Sequence, residues 1–110
     1  MAIVNLTKRT IGNGYAYSET IASGVNGNTI IIPPKENKED NITCRIIAGA
    51  GTGKFQFTTS KDSAVLAGTE TWTDWPKGAV TGTDYDIVNG PITGLRGVST
   101  SGEIVIEVVR

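Results

Sequence analysis

Short runs of alternating apolar and polar residues, separated by glycine-rich turns, extend along the chain. Alternation with a period of two is typical of β-strands, and no segment repeats apolar residues at helical spacing over three turns. The pattern therefore predicts an all-β fold: one β-sandwich or jelly-roll-like domain over residues 1–110, with about eight short antiparallel strands. The candidate strands are residues 2–7, 15–21, 29–32, 41–47, 54–58, 71–75, 92–98 and 103–109. Residues 64–67 are predicted to form a short buried strand or a turn, and 79–88 is ambiguous.

Two pairs of strands are predicted to form hairpins, one across the glycine-rich residues 48–53 and one across the turn at residues 99–102. Within each pair, one strand carries three apolar side chains of the same parity, which predicts that they face the core. These side chains are Ile42, Cys44 and Ile46 in the first pair, and Ile104, Ile106 and Val108 in the second.

The segment AGAGTGKF at residues 48–55 partly resembles a phosphate-binding loop, whose pattern is G-x-x-x-x-G-K-[ST]. Ala48 stands where the first glycine belongs, and Phe55 stands where a hydroxyl residue should hold magnesium. The helix required behind such a loop is missing, because residues 55–57 alternate as a strand. We therefore expect a mobile hairpin tip instead of a nucleotide site. Gly51 lies at that tip and Lys54 at its base, where both are available to a partner.

Composition excludes several classes of function. The chain has 110 residues, a net charge of -1, one cysteine and no histidine. No basic stripe offers a footprint for nucleic acid, and no intrachain disulfide can form. A zinc site or a Cys/His pair is not expected, so Cys44 is interpreted as a small core residue, and no cofactor or metal is expected. The sequence shows neither a signal peptide nor an apolar run long enough to cross a bilayer, which favours a protein made in the cytoplasm.

Two acidic residues, Asp84 and Asp86, flank Tyr85 and would point the same way on a strand. A pair of carboxylates across a cleft is the arrangement that glycoside hydrolysis uses, and it needs one carboxyl group with a raised pKa. The spacing alone shows neither the cleft nor the raised pKa. The simpler interpretation is the polar face of a half-exposed sheet.

Trp72 and Trp75 have opposite strand parity, so one can lie in the core while the other is exposed. An exposed tryptophan beside Asp74 would suit stacking on a sugar ring or anchoring a protein interface. The alternative is that the indole simply fills the core. A separate run of charged residues at 35–40 is interpreted as an exposed loop, and the sharper hypothesis is that it pairs with charges on a partner.

The C-terminal part of the chain resembles the endings of small structural proteins of tailed bacteriophages. The resemblance lies in GPITGLR at residues 90–96, followed by SGEIVIEVV at residues 101–109. The length and the missing histidines are also similar to the small capsid decoration, or stapling, proteins of Epsilon15-like podophages. This resemblance implies a jelly-roll-like virion protein without catalytic residues. Such a protein binds the outside of the assembled capsid and clamps neighbouring major capsid subunits.

On this hypothesis the protein is made in the host bacterium's cytoplasm and ends on the capsid surface, as a homodimer or another symmetric oligomer that binds the major capsid protein. A carbohydrate-binding or receptor-binding module of a phage tail or fibre, on the same fold, is the alternative. A small hydrolase using Asp84 and Asp86 is a third hypothesis. The candidate contact residues are Ile3, Val4, Asn5, Lys35, Glu36, Lys38, Glu39, Gly51, Lys54, Trp72 and Trp75.

Overall fold

A computed structural model describes residues 2–11, 14–33 and 41–110. In these ranges the chain forms nine strands and one short helix, which confirms the predicted all-β class. The elements are β1 (Ile3–Asn5), β2 (Thr7–Lys8), β3 (Tyr15–Ile21), β4 (Thr29–Ile31), β5 (Asn41–Thr58), α1 (Asp62–Ala67), β6 (Thr73–Asp74), β7 (Val80–Asn89), β8 (Gly94–Ser101) and β9 (Ile104–Val109).

The centre of the fold is β5, an 18-residue strand that belongs to two half-sheets. Its N-terminal half lies between β7 and β9, and its C-terminal half lies between β8 and β6. The first half-sheet has the order β7-β5-β9-β3-β2, and the second has the order β6-β5-β8-β4-β1. Most neighbours are antiparallel, whereas β1 runs parallel to β4.

The two predicted hairpins do not form. Residues 48–53 lie within β5 and join its halves, and no pairing links β8 to β9. Instead β8 and β9 run one after the other along the same edge of β5, antiparallel to it. The alternation predicted for residues 42–46 and 104–108 was right, but the partners were wrong, because alternation fixes which face a residue takes and not which strand it pairs with.

Glycines let the long strands turn together at one corner. Residues 48–51 of β5 bulge out opposite the single residue Gly82 of β7. Gly49, Gly82 and Gly102 all have positive φ, a conformation that other residues rarely adopt. Strands that pass from one sheet to the other at such a bulge produce a folded-over, nearly closed sheet.

The core lies between the two half-sheets. The approach is so close that a Cβ on Gly97 of β8 would lie 2.7 Å from Ile106 of β9 and 2.8 Å from Ile21 of β3. The alternating residues that the sequence predicted to be buried, Ile42, Cys44, Ile46, Ile104, Ile106 and Val108, are all fully buried.

The short helix α1 is a departure from the predicted strand or turn at residues 64–67. Asp62 lies in its first turn, and Gly68 ends it in the left-handed conformation, with its N–H donating to the carbonyl groups of Ala64 and Val65. Only Val65 of the helix is buried. Six residues are too short to show helical periodicity, which is why the alternation rules missed it.

Candidate functional site

Gly51 is not at a mobile tip. It is buried at the corner of β5, where an added Cβ would lie 2.6 Å from the Ser101 carbonyl oxygen. The prediction that Gly51 is exposed at a hairpin tip is therefore wrong, because the backbone of Ser101 and Gly102 packs against it, although Gly49 and Ala50 beside it are exposed. The strand character of residues 55–57, which argued against a phosphate-binding loop, is confirmed.

Trp75 is a core residue, so its assignment as a partner contact is also wrong. It is 2% exposed and packs against Phe55 with the ring centroids 5.1 Å apart. Its Nε1–H donates to the carbonyl oxygen of Gly78, which satisfies the polar end of the indole. Trp72 is half-buried at the surface. The opposite parity of the two tryptophans thus separated a core residue from a surface residue.

Lys54 and Trp72 belong to one row of side chains on the outer surface of the second half-sheet, called the back face here. Lys54 Nζ lies 3.0 Å from Asp74 Oδ2, and Gln56 Nε2 donates to Asp74 Oδ1 at 2.9 Å. Arg96 Nε donates in turn to Gln56 Oε1 at 2.9 Å. The row follows from register, because Gln56 of β5 pairs with Asp74 of β6 on one side and with Arg96 of β8 on the other.

The row ends in a depression of about 530 Å³ that contains Trp72. The guanidinium carbon of Arg96 lies 4.3 Å from the centre of the Trp72 ring, a cation–π contact. Trp72 Nε1 donates to Glu70 Oε1 at 3.1 Å. The other carboxylate oxygen, Glu70 Oε2, is buried and has no hydrogen-bond partner among the described residues. Burial lowers the pKa of Arg96 from its ordinary value, and the nearby Glu70 carboxylate opposes that shift.

The N-terminal candidates Ile3, Val4 and Asn5 form β1, the outermost strand of the second half-sheet. Val4 packs against the core, whereas Ile3 is 42% exposed and lines the same depression as Trp72. Since β1 pairs only with β4 among the described strands, its other edge presents main-chain groups to a further strand. The candidates Lys35, Glu36, Lys38 and Glu39 lie outside the described residues.

The outer surface of the first half-sheet, called the front face here, carries three rows of side chains across β3, β9, β5 and β7. None of these side chains is buried, and its largest exposed members are Ile47, Tyr85, Ile87 and Val109. Strand register gives the rows as Thr20, Val105, Ile47 and Thr83; then Ser18, Glu107, Arg45 and Tyr85; then Ala16, Val109, Thr43 and Ile87.

The front face is uneven from one edge to the other. At the β3 side the small residues Ala16 and Ser18 border a depression of about 430 Å³. At the β7 side Tyr85 and Ile87 project, with 55% and 46% of their surfaces exposed. Arg45 stands over the Tyr85 ring, with its guanidinium carbon 5.5 Å from the ring centre.

Asp84 and Asp86 do not form an acid–base pair across a cleft. Asp84 Oδ1 accepts the N–H of Tyr85, and Asp86 Oδ1 accepts the N–H of Ile87, both at 2.8 Å. The hydrogen bond from the Tyr85 N–H, followed by the Lys77 ammonium, lowers the pKa of the Asp84 carboxyl, whereas a catalytic acid requires a raised pKa. The two carboxylates instead cover amides of β7, which pairs only with β5 among the described strands.

Two further observations concern other chemistry. Burial, with a smaller contribution from Asp86, raises the pKa of the Cys44 thiol to about 12, which agrees with its interpretation as a core residue. Among residues 2–11, 14–33 and 41–110, no three acidic, histidine or cysteine side chains gather in a metal-binding group. In the same ranges no helix has the length and apolar character needed to cross a membrane.

Comparison with protein-family models and with curated proteins gave no match. Among solved structures, the chain is similar to CapF in complex with the inhibitor 3-isopropenyl-tropolone, with 13% sequence identity and a TM-score of 0.47. A structure of the capsular polysaccharide assembling protein CapF from Staphylococcus aureus is similar with 14% sequence identity and a TM-score of 0.45. The first alignment covers 92% of this chain and 25% of CapF, so the chain spans about a quarter of that protein. Disulfide-linked pili of Bacillus endospore appendages give 12% identity and a TM-score of 0.30, covering 96% of both chains. At these TM-scores the likenesses carry no argument about function.

Sequence reasoning missed the polar partners of Trp72 and the composition of the front face. Glu70 lies only two residues before Trp72 in the sequence, and this proximity was the available signal for a polar partner of the indole. Arg96 and Gln56 become neighbours only through the pairing of β5 with β8. The front face likewise required the strand order β3-β9-β5-β7, which alternation cannot supply.

Proposed function

We propose that this protein is a non-enzymatic virion component that binds the outside of a phage capsid as a two-fold dimer and staples neighbouring major capsid subunits. The observation that supports this proposal best is the self-complementary front face. Because a staple must hold two subunits at once, a symmetric dimer that presents each contact element twice is the simplest form of one.

The shape of the front face fits a second copy of the chain. Consider a two-fold axis that runs parallel to the strands, between β5 and β9, with two front faces stacked on each other. Each position on β7 then lies opposite a position on β3 of the second copy. Tyr85 meets Ser18 and Ile87 meets Ala16, so the projecting side chains of each copy enter the depression of the other.

The charges of the front face match under the same operation. Arg45 of β5 and Glu107 of β9 are direct cross-strand partners, one on each side of the proposed axis. The axis therefore places each Arg45 opposite the Glu107 of the second copy. Glu107 forms no hydrogen bond or ion pair through its side chain within the described residues, and is free to make that contact. Around this central pair, Val105 lies opposite Ile47, which supplies apolar contact.

In this dimer the β1 strands and the back faces remain outside the interface. The two open β1 edges can each add to a strand of a capsid subunit through main-chain hydrogen bonds. Weak contacts at both ends add up strongly when the sites are fixed on a lattice. The residues for which we propose capsid contact are those of β1, with Lys54 and Trp72 on the back face at the same side of the molecule.

A charge exchange tests the dimer. Arg45→Glu places like charges opposite each other, and Glu107→Arg does the same with the opposite sign, so each variant alone is expected to run as a monomer in light-scattering chromatography. An equimolar mixture restores both opposite-charge pairs and is expected to form heterodimers. A mixture that stays monomeric, or single variants that dimerise as the wild type does, would contradict the front-face dimer.

Capsid binding is tested separately by cosedimentation with shells that lack the protein. The wild type is expected to bind, and each monomeric variant is expected to bind at least tenfold more weakly because one of the two attachment points is lost. The mixture of the two variants serves as the matched control and should regain binding. Failure of the wild-type dimer to bind any such shell would remove the stapling function.

A further inference from the structure

We propose that the depression around Trp72 on the back face is a binding site for a neutral saccharide. It lies outside the front face, so the inference does not depend on dimer formation. Ile3 and Trp72 are also proposed capsid contacts, so a saccharide and a capsid subunit would compete for this surface. The site combines an indole, a carboxylate, a guanidinium group and two exposed apolar walls within one concave surface.

The polar groups of the site have bonding capacity that the chain does not use. Glu70 Oε2 is enclosed and has no hydrogen-bond donor among the described residues, which is unfavourable for a carboxylate oxygen. Glu70 is among the residues that line the depression, so its carboxylate borders the space that a ligand would occupy. A ligand hydroxyl that donates to Oε2 would supply the missing donor.

Arg96 supplies the complementary donors. Its Nε bonds to Gln56 and its guanidinium plane lies against Trp72, so the group is fixed in direction before any ligand arrives. Its terminal nitrogens provide N–H groups that a hydroxyl oxygen can accept. A site with one strong acceptor and one strong donor side by side suits a group that both donates and accepts, as neighbouring hydroxyls of a sugar ring do.

The charge balance and the walls define the ligand further. Glu70 and Arg96 carry opposite charges, so the attraction of a charged ligand to one of them is offset by repulsion from the other. A neutral ligand meets no such repulsion. Ile3 and Leu66, with 42% and 60% of their surfaces exposed, present aliphatic surface to the same depression. Apolar walls beside an indole fit the C–H faces of a pyranose ring, and the polar pair fits its hydroxyl edge.

The experiment uses the full chain and an array of neutral hexose oligosaccharides, with sialylated and sulfated glycans beside them. The wild type is expected to retain neutral glycans. Trp72→Ala and Glu70→Gln are each expected to raise the Kd of a retained glycan at least tenfold, since glutamine replaces the free acceptor by a donor at unchanged size. Glu103→Gln, at an exposed carboxylate between β8 and β9, is the matched control and should leave the Kd unchanged.

Nuclear magnetic resonance locates the ligand without relying on a variant that folds. The chain has two tryptophans, so two indole N–H signals are expected. The Trp72 signal should shift during titration with a retained glycan, while that of the buried Trp75 should stay in place. An array without retained neutral glycans, a preference for charged glycans, or a shift of the Trp75 signal alone would each overturn the proposal.

Discussion

At the scale of single residues, Cys44 shows how a neighbouring pattern decides a side chain's chemistry. It alternates with Ile42 and Ile46, and this parity places its thiol in the core. Because burial raises its pKa to about 12, the thiolate is scarce at pH 8. We expect the folded chain to react with a thiol reagent at pH 8 at least a hundredfold more slowly than the chain in denaturant. Comparable rates in the two states would show that the thiol is accessible.

Asp74 links a surface residue to the response of the fold to acid. Its carboxyl pKa is lowered, first by the hydrogen bond from Gln56 and then by Lys54. A lowered pKa in the folded state adds stability above the unfolded pKa of about 3.9, and this stability is lost as the pH falls through the folded value. Gln56→Ala and Lys54→Ala should therefore each raise the Asp74 pKa in an NMR titration. An unchanged Asp74 pKa in either variant would show that the replaced side chain does not stabilise the carboxylate.

At the scale of elements, the corner of β5 shows what a glycine-rich sequence can and cannot reveal. The segment AGAGTGKF predicted unusual backbone, and Gly49 does have positive φ. The same composition serves a hairpin tip or an internal bulge, since both need glycine. What decides between them is the backbone that lies alongside, and here Ser101 and Gly102, at the end of β8, pack against Gly51.

Gly51→Val is consequently expected to destabilise the fold. The added Cβ would lie 2.6 Å from the Ser101 carbonyl oxygen and 3.1 Å from that of Ala48, and neither backbone group can move freely. Overpacking of this kind costs about 1–3 kcal/mol, which thermal unfolding would detect. Ala50→Val, on an exposed residue of the same bulge, is the control and should change stability little. Equal melting temperatures for both variants would mean that the corner relaxes without cost.

The exposed edge of β7 is closed by its own aspartates, whereas the edge of β1 is open. The two carboxylates occupy the N–H groups of Tyr85 and Ile87, which withdraws these donors from another strand, and their charge adds repulsion between copies. The double variant Asp84→Ala/Asp86→Ala should therefore aggregate faster than the wild type in light scattering. Asp84→Asn/Asp86→Asn retains the acceptors without the charge and should fall between the two. Identical aggregation rates for all three proteins would show that Asp84 and Asp86 do not protect the β7 edge from association.

The fold class and the burial of alternating residues could be predicted from sequence because both depend on local parity. Partner choice could not, because residues that are distant in the chain decide it. Thr43 lies beside Val109 and Gln56 lies beside Arg96 only once β5 bends at the corner. The same limit applied to function, since Lys54 and Trp72 were predicted separately and share a face only through that register.

At the scale of the whole molecule, the proposed dimer ties folding to association. If two chains must fold to form the interface, their melting temperature depends on protein concentration. A tenfold increase in concentration is worth about 1.4 kcal/mol per dimer, which corresponds to a rise in Tm of roughly 3–6 °C for about 200 residues. Wild-type protein should show this rise, while Arg45→Glu should melt at one temperature at all concentrations. Mixing the Glu107→Arg protein with the Arg45→Glu protein in equal amounts should restore the dependence of Tm on concentration. A wild-type Tm that stays constant over a hundredfold range would show that the front face does not associate under those conditions.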